Sequence, residues 1–151
     1  MQKRGNNSLR KKLNISFPNV KFKCIFCGKC CMNMNMNERK IVLTKKDVER
    51  ILSVTKLKIE DFANENINEK YPYIMKLVSG KCFFLDSHNM CIIYSDRPLV
   101  CRFYPFLMRK IGKKYVFEAD PSCPGLGDGE KLTEEYFLML MKEAAKSLEE
   151  L

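Results

Sequence analysis

Eight cysteines stand at Cys24, Cys27, Cys30, Cys31, Cys82, Cys91, Cys101 and Cys123, and the first four fall within eight residues as C-x2-C-x2-C-C. Thiolates three residues apart in a tight loop can point at one centre, and Gly28 gives the backbone the freedom such a loop needs. Cys30 and Cys31 are neighbours, so their side chains are expected to leave the backbone in different directions, with at most one of them in the same small site. Deprotonated thiols are soft ligands that suit zinc, iron and iron–sulfur clusters. Disulfides are the competing use of an even cysteine count. Three features speak against them: no apolar leader follows the charged N-terminus, the chain is long enough to fold without bridges, and four thiols in one loop cross-link little. Metal ligation is the expectation. Cys82 and Cys91, flanked by Phe83 and Ile92, also suit ordinary buried positions.

Structural zinc commonly uses two separated C-x2-C pairs or mixes cysteine with histidine. Here there is no second C-x2-C pair, and His88, between Ser87 and Asn89, is the one histidine. The triple run at x2 intervals is similar to that of bacterial ferredoxins, which ends in a Cys-Pro of the kind seen at Cys123-Pro124. The expected cofactor is a [4Fe–4S] cluster held by Cys24, Cys27, Cys30 and one later cysteine, the other four tightening the fold or holding a second metal. Zinc is the alternative cofactor. Arg97 and Arg102 flank Cys101 and either donate N–H groups to sulfur or form surface ion pairs with Asp96 or Asp86. Tyr94, Tyr104 and Phe106 are expected to pack around the site. A single histidine leaves no credible Ser–His–Asp or Cys–His pairing, so hydrolytic or acyl-transfer catalysis is not expected. Gly125-x-Gly127-x-Gly129 lacks the preceding strand and the Lys-Ser/Thr of a phosphate-binding loop.

A second pattern follows the first: Cys82-Phe83-Phe84-Leu85, then Cys91 leading into Tyr94-x2-Arg97-Pro98-x2-Cys101-Arg102-x-Tyr104-Pro105-Phe106, then Cys123. With the amino-terminal cluster, this closely resembles the C-x2-C-x2-CC cysteine-cluster family of zinc- or iron-chelating domains, from about Lys23 to Gly125. The resemblance implies metal or iron–sulfur binding by the eight cysteines, with Arg97, Arg102, Tyr94 and Tyr104 around them, and fixes neither the metal nor an activity. The same cluster occurs in flagellin lysine-N-methylase proteins. Those chains are larger, and this sequence has no fingerprint for S-adenosylmethionine, so a part in protein lysine methylation stands only as a third reading. The first is an iron–sulfur protein in electron transfer, sensing or an accessory role, and the second a structural zinc module contacting a protein or nucleic acid. Whether the protein is an enzyme is left open.

These residues need a scaffold, and 151 residues with 46% apolar and 30% charged composition suit a single α+β domain. Short strands are expected at Phe17–Lys23, Ile41–Leu43, Tyr73–Val78 and Cys82–Leu85, the last two joined at Ser79-Gly80. Thr44 and Asp47 mark a capping box opening a helix through about Thr55, and Ile59–Asn64 a short second helix. Phe106–Lys110 and Lys114–Glu118 read as a strand pair, and Pro121–Gly129 as a loop. Thr133 caps an amphipathic C-terminal helix with Phe137, Leu140, Met141, Ala144, Leu148 and Leu151 on one face. Met32–Asn37 is a polar loop. The cysteines thus fall in loops between short elements.

The net charge of +9 is lopsided, with eight basic residues and no acidic one from Met1 to Asn37. Residues 1–15 are expected to be a flexible basic arm ahead of a metal-binding domain at 16–151. The arm admits nucleic acid, an acidic protein or a membrane surface as partner, but lacks aromatic residues at stacking intervals. The longest apolar run, Tyr136 to Met141, is far short of the roughly 20 residues of a membrane span. A cytoplasmic protein is expected.

Overall fold

The computed structural model describes residues 14–31 and 40–148. Most of the basic arm, the Met-Asn loop and Leu151 lie outside the described residues. In chain order the elements are β1 (Asn14–Ser16), β2 (Lys21–Phe22), a 3₁₀ turn (Lys29–Cys31), β3 (Val42–Leu43), α1 (Lys45–Val54), α2 (Ile59–Phe62), β4 (Ala63–Glu65) and β5 (Tyr73–Met75). There follow β6 (Leu77–Val78), β7 (Lys81–Cys82), a 3₁₀ turn (Tyr94–Asp96), α3 (Leu99–Phe103), β8 (Phe106–Ile111), β9 (Lys114–Ala119), β10 (Leu126–Lys131) and α4 (Glu134–Leu148). The chain is α+β, as expected, and its residues group into two compact units.

The first unit takes residues up to Ile25 and Phe103–Lys142. Its sheet runs β1-β9-β8, with β8 and β9 antiparallel around Gly112 and β1 parallel to β9, Asn14 facing Lys114. Asn14 and Ile15, placed in the arm by composition, are therefore sheet residues. The buried side chains Phe106, Phe117, Phe137, Leu138, Leu140 and Met141 form its core, with Phe17, Phe22 and Phe103 packed against them. Alternation explains the sheet's share: Phe106 and Phe117 face inward while Leu107 and Arg109 face out. Helix α4 supplies the rest through Phe137, Leu140 and Met141 at helical spacing, with Thr133 Oγ1 accepting from the Tyr136 N–H at 3.3 Å. Leu138 is also buried, widening the expected apolar stripe, whereas Met139 is exposed.

β10 corrects the expectation of a loop through Gly129. Leu126–Lys131 pairs with β2, with an irregularity between Leu126 and Lys131. The glycines make that approach possible. A Cβ on Gly125 would collide with the Lys23 carbonyl oxygen, and one on Gly129 would stand 2.8 Å from the Lys23 Cβ. They serve backbone contact.

The second unit takes Phe26–Arg102 and the chain from Glu143. β3 and β4 flank β5 in an antiparallel sheet, and α1 lays Val48 and Ile51 into a core with Leu43, Phe62, Met75 and Phe84. The capping box forms as read: Asp47 N–H donates to Thr44 Oγ1 at 3.0 Å, and Thr44 N–H to Asp47 Oδ2 at 2.9 Å. The second helix is shorter than expected, because the chain turns extended at Ala63 to pair with Met75. β6 and β7 form the expected hairpin; Ser79 (φ 52°) and Gly80 (φ 77°) have the paired left-handed geometry that a two-residue turn of matching twist needs.

Candidate metal centre

The cluster loop is shaped by its backbone. Phe26 (φ 55°) and Gly28 (φ 75°) both adopt left-handed conformations, and the Gly28 carbonyl accepts the Cys31 N–H at 2.9 Å. The resulting 3₁₀ turn brings Cys30 Sγ and Cys31 Sγ to 3.8 Å. This corrects the expectation that neighbouring cysteines diverge; the tight turn overrides the local tendency of successive side chains to separate.

Three later segments of the second unit bring further thiols. Cys82 lies buried on β7, held by the hairpin. Cys91 pairs its backbone with Leu85 across a turn, in which Asp86 Oδ1 accepts the N–H groups of His88 (2.8 Å) and Met90 (3.0 Å). Those two bonds hold the Asp86 carboxyl below its ordinary value. Cys101 lies on α3, its N–H donating to the Pro98 carbonyl. The start of α3 is fixed from afar: buried Asp47 Oδ1 accepts the Leu99 N–H at 3.0 Å and also pairs with Arg50. Sequence reading found Asp47 as a cap but not this third role, which spans 52 residues and leaves no local signal.

Electrostatics couples several of these thiols. The Cys31 thiol is pushed strongly upward, first by hydrogen bonding with Cys30, then by burial, then by the negative charges that Cys30, Cys101 and Cys82 would carry. Burial also pushes Cys91 up; the Ile93 N–H and the Arg97 charge pull it back, while Cys30 and Asp86 add to the rise. A cation bound by thiols that oppose one another's ionisation in this way would reverse the balance. Cys27 belongs to the same unit and is half-buried. Cys24 and Cys123 belong to the first unit, where the Lys23 N–H bonds the Gly125 carbonyl at 3.2 Å. That bond sits one residue from Cys24 and two from Cys123.

The sequence also matches the family model CxxCxxCC, described as "Putative zinc- or iron-chelating domain", over residues 23–124. The chain belongs to the CxxCxxCC family. It is similar to the "Uncharacterized protein MJ0661" of Methanocaldococcus jannaschii, with 33% identity over 135 residues, 83% of this chain and 70% of that protein. No solved structure matches. As a CxxCxxCC protein it has a metal-binding role, and its donors suit one. All eight cysteines are thiols, not disulfides, and neighbouring soft sulfurs are the ligands of zinc and iron. Metal–sulfur bonds of about 2.3 Å in a tetrahedron set sulfurs about 3.8 Å apart, which is the separation of Cys30 and Cys31. Among the described residues, no group of three or more His, Cys, Asp or Glu side chains is placed to hold a metal ion. The fit therefore rests on donor type and on that one sulfur pair.

The expected surroundings of the CxxCxxCC cysteines divide. Arg97 lies over the Tyr94 ring, 3.9 Å from its centroid, and its Nε donates to the Tyr94 carbonyl at 2.9 Å. Its charge still acts on Cys91. Arg102 donates to the Arg97 carbonyl at 2.8 Å and pairs with Glu143 at 3.1 Å, a different acid from the two expected. Arg50 donates to the same Arg97 carbonyl, so two arginines hold the turn ahead of Cys101. Tyr94 packs on Phe26 next to the cluster loop. Tyr104 belongs to the first unit, where its hydroxyl donates to Asp120; burial is the main cause that pushes it up to about 12. Phe106 is in that unit's core. His88 is exposed in its turn. Among the described residues, no helix is long and apolar enough to cross a membrane.

Proposed function

We propose that this CxxCxxCC protein holds an iron–sulfur cluster through its cysteines and serves in electron transfer, in sensing, or as an accessory to a modifying enzyme. The observation that carries metal ligation is the 3.8 Å approach of Cys30 Sγ to Cys31 Sγ, beside which Cys82 and Cys101 act electrostatically on the Cys31 thiol. Iron is favoured by the C-x2-C-x2-C run, by Cys123-Pro124, and by cysteines in excess of one ion's four ligands. The eight cysteines are the ligand candidates, and a bound cluster would supply one-electron chemistry. The chain's own part is to desolvate the sulfurs, as burial does at Cys31 and Cys91, and to bring positive charge near them, as Arg97 does. Thiols in this state belong in a reducing compartment such as the cytoplasm.

Structural zinc is the second reading, favoured by the 3.8 Å between Cys30 and Cys31, the edge of a single tetrahedral ion's coordination sphere. Anaerobic purification followed by iron, sulfide and zinc analysis and a visible spectrum separates the two. Brown protein with acid-labile sulfide that bleaches on dithionite addition is expected. Colourless protein with stoichiometric zinc would overturn the iron reading and leave the second; protein free of transition metals would overturn both.

A further inference from the structure

The β8–β9 hairpin of the first unit ends in Arg109-Lys110-Ile111-Gly112-Lys113-Lys114, four cations in six residues with no acid among them, all exposed. Register decides where their charges point. Arg109 lies opposite Val116 and Lys114 opposite Ile111, so Arg109 and Lys114 share the outward face of the ribbon. Lys110 lies opposite Tyr115 on the other face, its ammonium 5.6 Å from the centre of the Tyr115 ring, and Lys113 stands in the turn itself. The buried inward positions, Phe106 and Phe117, are nearer the hairpin base, so the tip carries positive charge on both faces beyond the apolar core. Glu118, toward the base, pairs with Arg109 across an exposed bridge of 3.2 Å. Such a pair is weak enough to exchange for a phosphate.

A flat anionic surface engages one face of a ribbon. A groove with phosphates on both walls engages two. The major groove of B-form DNA is about 12 Å wide and admits a β-ribbon, here β8 and β9 with β1 beside β9 at Lys114–Val116, whereas the A-form major groove is too narrow for side chains to read. The geometry points to duplex DNA as the partner of this hairpin, bound through its backbone phosphates without sequence preference. Arg109 and Lys114 face one wall of the groove, Lys110 the other, and Lys113 its floor. This surface involves none of the cysteines and stands or falls independently of the metal.

The test is titration of the intact, metal-loaded protein with a labelled random-sequence DNA duplex at several salt concentrations. A variant with Lys110→Gln, Lys113→Gln and Lys114→Gln is compared with one of equal net charge carrying Lys45→Gln, Lys56→Gln and Lys58→Gln. Removing one cation from a phosphate lowers the slope of log affinity against log salt by about 0.9, so the hairpin variant should lose about 2.7 and bind at least tenfold more weakly near physiological salt. The second variant should keep the wild-type slope. All three proteins should share one metal content and melting temperature, because the substituted side chains are exposed. No wild-type binding at low salt, equal slope losses in both variants, or a hairpin variant with the wild-type slope would overturn the proposal. So would hairpin-dependent binding to phosphatidylserine vesicles stronger than to the duplex.

Discussion

In the first unit, Phe17, Phe106, Phe117 and Phe137 pack ring on ring, with centroids 5.0 to 6.1 Å apart. In the second, six of the eight cysteines and a buried carboxylate sit among short strands and turns. Aromatic packing stabilises by area and shape and needs nothing from outside the chain. Thiols that raise one another's pKa would gain further from a cation that joins them. Both units rest on apolar burial, and the second also carries six thiols that the proposed metal would join. Phe62 and Phe84 belong to the second unit's own apolar core, and its cysteines sit mostly in turns and short elements beside it.

The sharpest way to break this contrast is to withdraw the metal. Structural metal sites contribute roughly 10 kcal/mol or more of apparent folding free energy, so chelation should collapse amide protection across residues 40–102 and leave β8 and β9 protected. Hydrogen exchange followed by mass spectrometry reads both at once; equal loss in the two units would erase the distinction. The converse variant is Phe137→Ala, which should cost the first unit about 3–5 kcal/mol by opening its aromatic core. Metal per folded chain, measured by elemental analysis, should stay at the wild-type level if the second unit's six cysteines hold it, and a loss would place Cys24 or Cys123 among the ligands.

Asp47→Ala tests the polar hub of the second unit. It removes the capping partner of Thr44, the partner of Arg50 and the acceptor for Leu99. A loss of about 2–3 kcal/mol is expected, with a change in the visible or metal-substituted spectrum, because Cys101 loses the anchor of its helix. An unaltered spectrum would reduce Asp47 to a helix cap. The smallest effect belongs to Asp86. Its folded pKa is depressed, so its contribution is fully present above the unperturbed value of 3.8 and is lost as the pH falls through the lower folded value. Exchange of the His88 and Met90 amides should quicken over that range in wild type, and Asp86→Asn should flatten the dependence.

What could be read without the fold was whatever a few neighbouring residues decide together. The Thr44–Asp47 box, the Ser79-Gly80 and Gly112 turns and the spacing of Phe137, Leu140 and Met141 are each closed within about one or two turns of chain. β10 escaped notice because Leu126–Lys131 has no alternating pattern, and its partner is a two-residue strand about a hundred positions earlier. Asn14 and Ile15 followed basic residues and read as arm, yet their pairing with Lys114 and Tyr115 is a long-range backbone contact. For the site, residue type and spacing named the thiols and the kind of ion they suit. The approach of Cys30 to Cys31 was misjudged, because it follows from the left-handed Phe26 and Gly28 rather than from side-chain order.

By itself the sequence determined the donor chemistry, the family and the local caps and turns, since these depend on side-chain type and covalent spacing. Tertiary structure decided the rest. It brought Cys30 and Cys31 together, gave Cys24 and Cys123 to the other unit, and hung the start of α3 on Asp47. Those outcomes belong to contacts between distant segments, whose free energy arises only when the chain has closed its long loops.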